Sequence, residues 1–318
     1  MRVVDGDELT RLLDYPTLIA AIGAGFSGSL RAPPRHRHTI PRAGAAPATL
    51  ILMPAWQEDG GGLGGSFMGV KLVSVFPDNA QRNKPSVQAV YVLMSGETGE
   101  PLACLDGETL TLLRTAAASA LAAGALARAD AARLVMIGAG ALAPYLIAAH
   151  ASVRPIRQVT IWNRTAETAD TLARSLSRPG FTVTATEDLA AAVAEADVVS
   201  VATLSHQPLV KGAWLRRGTH VDLVGAYAPD MREADDDAMR RATVVVDTLA
   251  GMRESGDIAQ ALASGALAED RIAGDLYDIA AGRLKRTFDA EITLFKSVGS
   301  AIEDLSAAVA AWQRLKGG

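Results

Sequence analysis

Several features that would narrow the function are missing from this chain of 318 residues. Its single cysteine, Cys104, has no partner for an internal disulfide, and one thiol cannot build a metal cluster. The five histidines are scattered without a ligand-type spacing such as HExxH. These absences predict a protein without a metal site that works in a reducing compartment, and we expect a cytoplasmic location.

An excess of positive charge is also missing. The 31 Lys and Arg residues face 35 Asp and Glu residues, a net charge of −4, which argues against a nucleic-acid partner. The first eight residues lack the apolar segment of a signal peptide. The uncharged stretch 134–153 contains two glycines and a proline, so we interpret it as strand, turn and helix rather than a membrane span.

The chain changes character near Gly107. Before it, apolar segments at 49–53, 68–76, 87–94 and 102–105 are separated by turns, which predicts a mostly antiparallel sheet. Pro54 is expected to stop the first of these strands, and the Pro- and Arg/His-rich stretch 31–42 is expected to be loop or irregular extended chain. Long helices are predicted over 110–127 and 300–315.

Strands and helices alternate after this point, which predicts a parallel sheet with helices on both faces. The predicted strands are 134–137, 158–162, 182–185, 198–202, 220–224 and 243–246. Gly138-Ala139-Gly140-Ala141-Leu142-Ala143 fits G-x-G-x-x-A, follows the first of them and opens a helix. That context favours dinucleotide binding over a plain tight turn, because Gly138 allows the turn and Gly140 admits a pyrophosphate onto free amides at Ala141 and Leu142.

The end of the second strand indicates which dinucleotide is bound. Asn163 lies 23 residues after Gly140, close to where NAD enzymes carry an acid for the ribose 2′-hydroxyl. The sequence here is Asn163-Arg164-Thr165, which offers a guanidinium and two short polar side chains to a 2′-phosphate. We therefore predict NADP(H), with NAD as the less favoured cofactor.

The first part of the chain contributes three cations with no obvious role. Lys71 alternates with Val70 and Leu72 in a strand, and Arg114 lies in a helix. From these patterns alone, an exposed sheet face and an exposed helix face are the better interpretations. Arg42 precedes the strand that ends near Met53.

Five motifs taken together resemble the ornithine cyclodeaminase and mu-crystallin family. They are GVKLVSVFPDN (69–79), LLRTAAASALAA (112–123), IGAGALA (137–143), GAYAPDMRE (225–233) and LFKSVGSAIEDL (294–305). The resemblance implies an α/β fold in which a Rossmann-type parallel sheet domain, residues 116–295, is inserted into a smaller α+β domain. That smaller domain, residues 1–115 plus 296–318, would bind substrate and form a homodimer contact.

The resemblance also implies roles for individual residues. Arg42, Lys71 and Arg114 match the cations that hold the substrate carboxylate, and Ser86 matches a hydroxyl near the nicotinamide. Positions that match cofactor contacts are Arg114, Thr115, Thr203, Val224, Gly225 and Ser297.

One position departs from the family pattern. Ornithine cyclodeaminases carry an acid/base aspartate where this chain has Tyr227, and a phenol with a pKa near 10 is not an anionic base at neutral pH. The resemblance therefore favours an NADPH-dependent reductase of cyclic imino acids such as Δ1-pyrroline-2-carboxylate or Δ1-piperideine-2-carboxylate. The alternatives are an ornithine cyclodeaminase, an alanine dehydrogenase-like enzyme, and a non-enzymatic protein that binds NADPH and a small ligand.

Overall fold

The computed structural model describes residues 1–58 and 63–317, and the chain divides into two compact units. The first unit is Met1–Arg114 with Ser300–Gly318, and the second is Thr115–Gly299. We expected the first boundary after residue 115, one residue later than the structure has it. We expected the second after residue 295, four residues earlier than the structure has it. The later C-terminal boundary follows from a strand at Thr293–Lys296, which pairs inside the sheet of the second unit.

The strands and helices follow one another as the change of pattern near Gly107 predicts. The strands are β1 (Arg2–Val4), β2 (Leu30–Arg31), β3 (His36–Ile40), β4 (Ala48–Gln57), β5 (Phe67–Val75), β6 (Val87–Ser95), β7 (Pro101–Asp106), β8 (Arg133–Ile137), β9 (Gln158–Trp162), β10 (Thr182–Ala185), β11 (Val198–Val201), β12 (His220–Leu223), β13 (Thr243–Val246), β14 (Ile272–Gly274) and β15 (Thr293–Lys296). The helices are α1 (Gly6–Leu12), α2 (Tyr15–Ser27), α3 (Gly107–Leu126), α4 (Ala143–Val153), α5 (Ala166–Leu176), α6 (Leu189–Glu195), α7 (Asp236–Arg241), α8 (Gly256–Ser264), α9 (Leu276–Ala280) and α10 (Ala301–Gly317).

The first unit is built on a seven-stranded sheet in the order β1-β7-β6-β5-β4-β2, with β3 also paired to β4. Every pairing is antiparallel except that of β1 with β7, so the expected mostly antiparallel sheet is confirmed. Side chains alternate between its faces. On β5, Gly69, Lys71 and Val73 are buried, whereas Val70 and Leu72 are only half-buried. The interpretation of Lys71 on an exposed face is therefore wrong, because the helices α2 and α10 pack together and α10 covers this sheet.

Two local expectations fail at the edge of this sheet. The stretch 31–42 is not loop or irregular chain throughout, because β3 pairs regularly with β4 from His36 opposite Leu52 to Ile40 opposite Ala48. Pro54 does not stop β4, which continues to Gln57. On that side of β4, β3 pairs only as far as Leu52 and β2 begins at Trp56, so the missing N–H of Pro54 falls in a gap between them.

The second unit contains the predicted parallel sheet. Its order is β10-β9-β8-β11-β12-β15-β13-β14, and all of its pairings are parallel. Strands buried on both faces explain the unbroken apolar runs of the sequence, since β8 is buried from Leu134 to Ile137. The carboxyl ends of β8, β9, β11 and β12 lie along one edge, where an open parallel sheet binds its ligands.

Helix α3 is long and apolar enough to cross a membrane by length and composition alone, and its apolar window is 67% buried within the protein. It also carries Arg114, which is 5% exposed and ion-paired. The expectation of an exposed helix face at Arg114 is therefore wrong, and this segment has the burial of a core helix.

Buried polar groups interrupt the apolar core of the second unit. Asp222 on β12 accepts hydrogen bonds from Ser200 at 2.7 Å and pairs with His150 Nε2 at 3.0 Å. His220, two residues away on the same strand, contacts Thr293 Oγ1 through Nδ1 at 3.0 Å. Burial lowers the pKa of His220 to about 3; the nearby Asp222 raises it, and His150, Arg286 and Arg154 lower it further.

We expect His220 to make the protein less stable as the pH falls. The unfolded histidine takes up a proton near pH 6.5, whereas the folded one resists protonation down to about pH 3, so stability is lost through that window. Each pH unit removes ~1 kcal/mol of unfolding free energy. His220→Asn should flatten this slope in denaturant titrations between pH 6.5 and 4.

His206→Asn, on an exposed loop histidine, is the matched control and should leave the slope unchanged. Parallel stability curves for the wild type and His220→Asn would contradict this prediction.

Candidate functional site

A buried ion cluster forms the centre of the first unit. Lys71 Nζ lies 2.9 Å from both carboxylate oxygens of Asp304, and Arg114 Nε lies 2.9 Å from Asp304 Oδ1. Arg114 also donates to Glu303 Oε2 at 2.6 Å. Side-chain exposure is 6% or less for all four residues. The structure therefore brings together two of the three predicted substrate cations.

Three elements position this cluster. Lys71 lies in the middle of β5, Arg114 lies in α3, and the two acids lie in the first turn of α10, where carboxylates are favoured by the helix dipole. Burial lowers the pKa of Lys71 to about 8, assisted by the charge of Arg114 and opposed by Asp304. Burial acts to raise the pKa of Asp304, but the charges of Arg114 and Lys71 outweigh it and hold that pKa below its usual value.

Arg42 lies in a different environment. It donates to Asp78 at 3.3 Å and to the carbonyl of Ala46 at 3.1 Å, and its guanidinium stacks 5.1 Å from the Phe76 ring centre. An open cavity of about 420 Å³ surrounds it, lined by Arg42, Gly44, Ala45, Ala46, Asp78, Gln81 and Arg82. Neither Lys71 nor Arg114 is among these lining residues, so the structure does not join the third predicted cation to the other two.

The strand register reveals another cation that the sequence analysis passed over. Arg37 on β3 is opposite Ile51, and Ile51 is opposite Val73 of β5. Residues directly opposite one another project from the same face, so Arg37 shares the face of Val73 and Lys71. The Arg/His-rich composition of 31–42 was the available signal, but only the pairing of β3 with β4 assigns a face to each of its side chains.

A cavity of about 340 Å³ lies at the carboxyl edge of the second sheet. It is lined by Gly138, Ala139, Gly140, Trp162, Asn163, Arg164, Thr165, Ala202, Thr203, Leu204, Ser205 and Leu209. Six of these residues were predicted to contact a cofactor, and they come from the ends of three neighbouring strands. Among the described residues, no group of His, Cys, Asp and Glu side chains is arranged to hold a metal ion.

The glycine motif fits a pyrophosphate. Gly138 has φ +101°, and a Cβ there would lie 2.4 Å from the carbonyl oxygen of Ala202. A Cβ at Gly140 would meet nothing within 4 Å, so this exposed turn has room for a ligand. Ala141 and Leu142 lead directly into α4, whose N-cap Leu142 makes no side-chain capping bond. Amides at such a helix start are suited to anions.

The segment after β9 contributes one residue that supports the glycine loop and one that lines the cavity. Asn163 accepts from the amide of Ala139 at 3.2 Å and donates to the carbonyl of Thr165 at 3.0 Å, so it braces the glycine loop. Arg164 is exposed and lines the cavity. This places a guanidinium, and no carboxylate, where the turn after β9 meets the cavity wall.

Beneath the cavity lies a second buried ion cluster, which the sequence analysis missed. Glu233 Oε1 accepts from the amide of Thr203 at 2.7 Å and from its hydroxyl at 2.9 Å. Lys296 Nζ lies 3.2 Å from Asp257 and 3.8 Å from Glu233, and donates to the carbonyl of Gly225. Burial and the neighbouring Asp257 raise the pKa of Glu233 to about 8 against the charge of Lys296.

The remaining predicted residues are dispersed. The amides of Val224 and Gly225 donate to Val201, and the amide of Ser297 donates to Leu223, so these residues lie at strand ends but outside the cavity lining. Thr115 is a half-buried residue of α3, and the carbonyl of Ser86 accepts from the amide of Phe76. Tyr227 is 52% exposed and follows Ala226, whose φ is +42°.

Comparison with known proteins agrees with this geometry. A sequence model of the ornithine cyclodeaminase/mu-crystallin family matches residues 9–318. A Δ1-pyrroline-2-carboxylate reductase of Paracoccus denitrificans is 40% identical over 281 residues, which cover 85% of this chain and 87% of the relative.

Two solved structures have the same fold over the whole chain. The Δ1-pyrroline-2-carboxylate reductase of Thermococcus litoralis, in complex with NADH and L-proline, has a TM-score of 0.90 and 34% identity, and 98% of it is covered. An archaeal alanine dehydrogenase dimer with bound NAD has a TM-score of 0.89 and 28% identity, with 100% of this chain and 96% of that chain covered. The chain therefore belongs to the ornithine cyclodeaminase/mu-crystallin family.

Proposed function

We propose that this protein is an NADPH-dependent reductase of cyclic 2-imino acids, with Δ1-pyrroline-2-carboxylate or its six-membered homologue as substrate. The observation that carries the proposal is the buried pairing of Lys71 and Arg114 around Asp304. Two cations, one from a strand and one from a helix, held around one point are suited to an α-carboxylate. Relatives named as reductases of such a substrate support the same assignment.

The reaction needs two additions to the C=N bond. A hydride goes to the imine carbon and a proton to the nitrogen, which gives the saturated cyclic amino acid. Lys71 and Arg114 would hold the carboxylate and so fix the ring that carries the imine. A cyclic imine arrives partly protonated, so the non-acidic Tyr227 is compatible with reduction.

The cavity of the second unit has the features of a dinucleotide site. Gly138 and Gly140 would admit the pyrophosphate to the start of α4, and Arg164 would pair with a 2′-phosphate. The reduced nicotinamide supplies the hydride when it is bound. The relatives' structures contain NADH or NAD, and the guanidinium at position 164 is our reason for proposing NADPH here.

A substrate panel tests the proposed reaction. Oxidation of NADPH should be fastest with the two cyclic imino acids, slower with pyruvate plus ammonia, and ornithine should release no ammonia. Lys71→Met should reduce kcat/KM by ~10- to 100-fold, the value of a lost charged hydrogen bond. Lys84→Met, at an exposed lysine, is the matched control.

Three results of this panel would contradict the proposal. Ammonia release from ornithine would indicate a cyclodeaminase, and preference for pyruvate would indicate an amino-acid dehydrogenase. Binding of NADPH without turnover of any of these compounds would indicate a binding protein.

The cofactor preference depends on Arg164. Arg164→Ala should raise KM for NADPH by ~10- to 100-fold, because one charged hydrogen-bonding group to phosphate is lost, and should leave KM for NADH unchanged. Arg174→Ala removes the same charge from α5, outside the cavity lining, and is the control. Equal use of NADH and NADPH by the wild type would refute the preference.

We also propose that the protein is a homodimer. The outer face of the first sheet is apolar over three neighbouring strands and is half-buried or exposed within one chain. It comprises Leu52, Pro54 and Trp56 of β4, Met68, Val70 and Leu72 of β5, and Val90, Val92 and Met94 of β6. A continuous apolar face of this kind is typical of an interface, and an archaeal relative is a dimer.

Charge introduced into this face should disrupt the dimer. Val90→Glu should convert the protein to monomers in light scattering at micromolar concentration, because a carboxylate would be buried without a partner. Phe288→Glu alters an exposed apolar residue of the second unit and should leave the mass unchanged. A Val90→Glu protein that is still a dimer at micromolar concentration would place the interface elsewhere.

A further inference from the structure

We propose that Asp304 is a positioning residue that keeps Lys71 charged and fixes Lys71 and Arg114 at the spacing that receives the substrate carboxylate. This inference rests on the proposed function and adds a role for a residue that does not itself bind substrate. Asp304 has no exposed side-chain surface and contacts both cations at 2.9 Å.

The two acids of the cluster make different contacts with the cations. Asp304 is shared, since its carboxylate lies against Lys71 Nζ and Arg114 Nε. Glu303 contacts Arg114 Nη1 at 2.6 Å and accepts from the amide of Ser300 at 3.2 Å. Among the described acids, Asp304 alone therefore contacts Lys71 directly. Glu303 lies in the same helical turn, so its substitution is a suitable comparison for that of Asp304.

Every element packed around Lys71 contributes to its charge state. Helix α10 presents Asp304 and Glu303, α3 presents Arg114 and the hydroxyl of Thr111, and the neighbouring strand β6 places Tyr91 opposite Lys71. Burial and Asp304 raise the pKa of Tyr91, so the phenol stays neutral. Met53 is opposite on β4 and carries no charge.

Among these groups, Asp304 does most to keep Lys71 protonated. Burial and the positive charge of Arg114 both lower the pKa of Lys71, and the carboxylate of Asp304 is the largest opposing influence. If that charge is removed, burial and Arg114 are opposed only by the smaller influence of Glu303, and Lys71 loses its proton at a lower pH. A neutral amine would then face the substrate carboxylate, and the attraction between them would be lost.

The ammonium also retains a donor for a ligand. It has three N–H groups and, among the described residues, two hydrogen-bond acceptors: Asp304 Oδ1 at 2.9 Å and Thr111 Oγ1 at 3.4 Å. The Thr111 hydroxyl gives its own proton to the carbonyl of Gly107, so it can accept from Lys71. One N–H is thus left over for the carboxylate of a substrate.

The test compares Asp304→Asn, Glu303→Gln and Lys71→Arg through binding of pyrrole-2-carboxylate, a planar carboxylate that cannot take up a hydride. Calorimetry with NADPH-saturated protein would follow its Kd from pH 6 to 10, where the ligand stays ionised. In the wild type, affinity should fall as the pH rises through about 8. In Asp304→Asn, the fall should begin about 1–3 pH units lower, the usual effect of a neighbouring opposite charge.

The other variants separate charge state from mere packing. Glu303→Gln should weaken binding but move the pH at which affinity falls by less than Asp304→Asn does, because Glu303 raises the pKa of Lys71 less than Asp304. Lys71→Arg keeps its charge, so its affinity should not fall across this range, and this comparison stands even if Asp304→Asn does not fold. The pH profile of kcat/KM with a cyclic imino acid should shift in Asp304→Asn as the binding curve does.

Two results would overturn the inference and leave the proposed function intact. One is a folded Asp304→Asn protein whose affinity falls at the same pH as that of the wild type. The other is a Lys71→Arg protein that loses affinity in parallel with the wild type. A wild type that binds pyrrole-2-carboxylate with the expected pH dependence but reduces no cyclic imine would instead contradict the proposed function alone.

Discussion

The contact of one buried carboxylate, Asp304, with Lys71 and Arg114 is the interaction on which the proposed substrate site depends. Two cations brought this close repel each other, and burial penalises both. The acids of α10 compensate that cost locally, so the cluster of two cations and two carboxylates is neutral overall. Because buried ion pairs contribute little net stability, the presence of this cluster supports the function that we propose for its cations.

The second unit also contains a buried cluster of opposite charges, which lies against a different site. Lys296 lies among Glu233, Asp257 and the carbonyl of Gly225, directly below strand ends that frame the cavity. Glu233 accepts from both the amide and the hydroxyl of Thr203, which fixes one wall of that cavity. In each unit, a buried cluster of opposite charges holds polar groups in place at the site that we propose for a ligand.

Much of the architecture was accessible from the sequence, because it depends on local patterns. The alternation of strand and helix after residue 134 predicts the parallel sheet, and G-x-G-x-x-A predicts the turn at Gly138. Side-chain facing was less accessible. Periodicity shows that Lys71 projects from one face of the sheet and Val70 and Leu72 from the other. It does not show which face α10 covers, because that depends on contacts between residues 233 positions apart.

The partners of the predicted cations were inaccessible for the same reason. Glu303 and Asp304 belong to a recognised motif, but only the folded chain places them against Lys71 and Arg114. The position of Arg37 depends on the pairing of β3 with β4, which the Pro- and Arg-rich composition of that stretch concealed. Its register assigns it to the Lys71 face, whereas Arg42 is engaged with Asp78.

The central claim is that Lys71 and Arg114 hold the carboxylate of a cyclic imino acid. A crystal structure with NADPH and pyrrole-2-carboxylate tests it most directly. The account predicts that the ligand carboxylate lies within hydrogen-bonding distance of Lys71 Nζ and the Arg114 guanidinium while both keep their contacts with Asp304. A carboxylate bound elsewhere, with Lys71 and Arg114 contacting only Asp304 and Glu303, would contradict it.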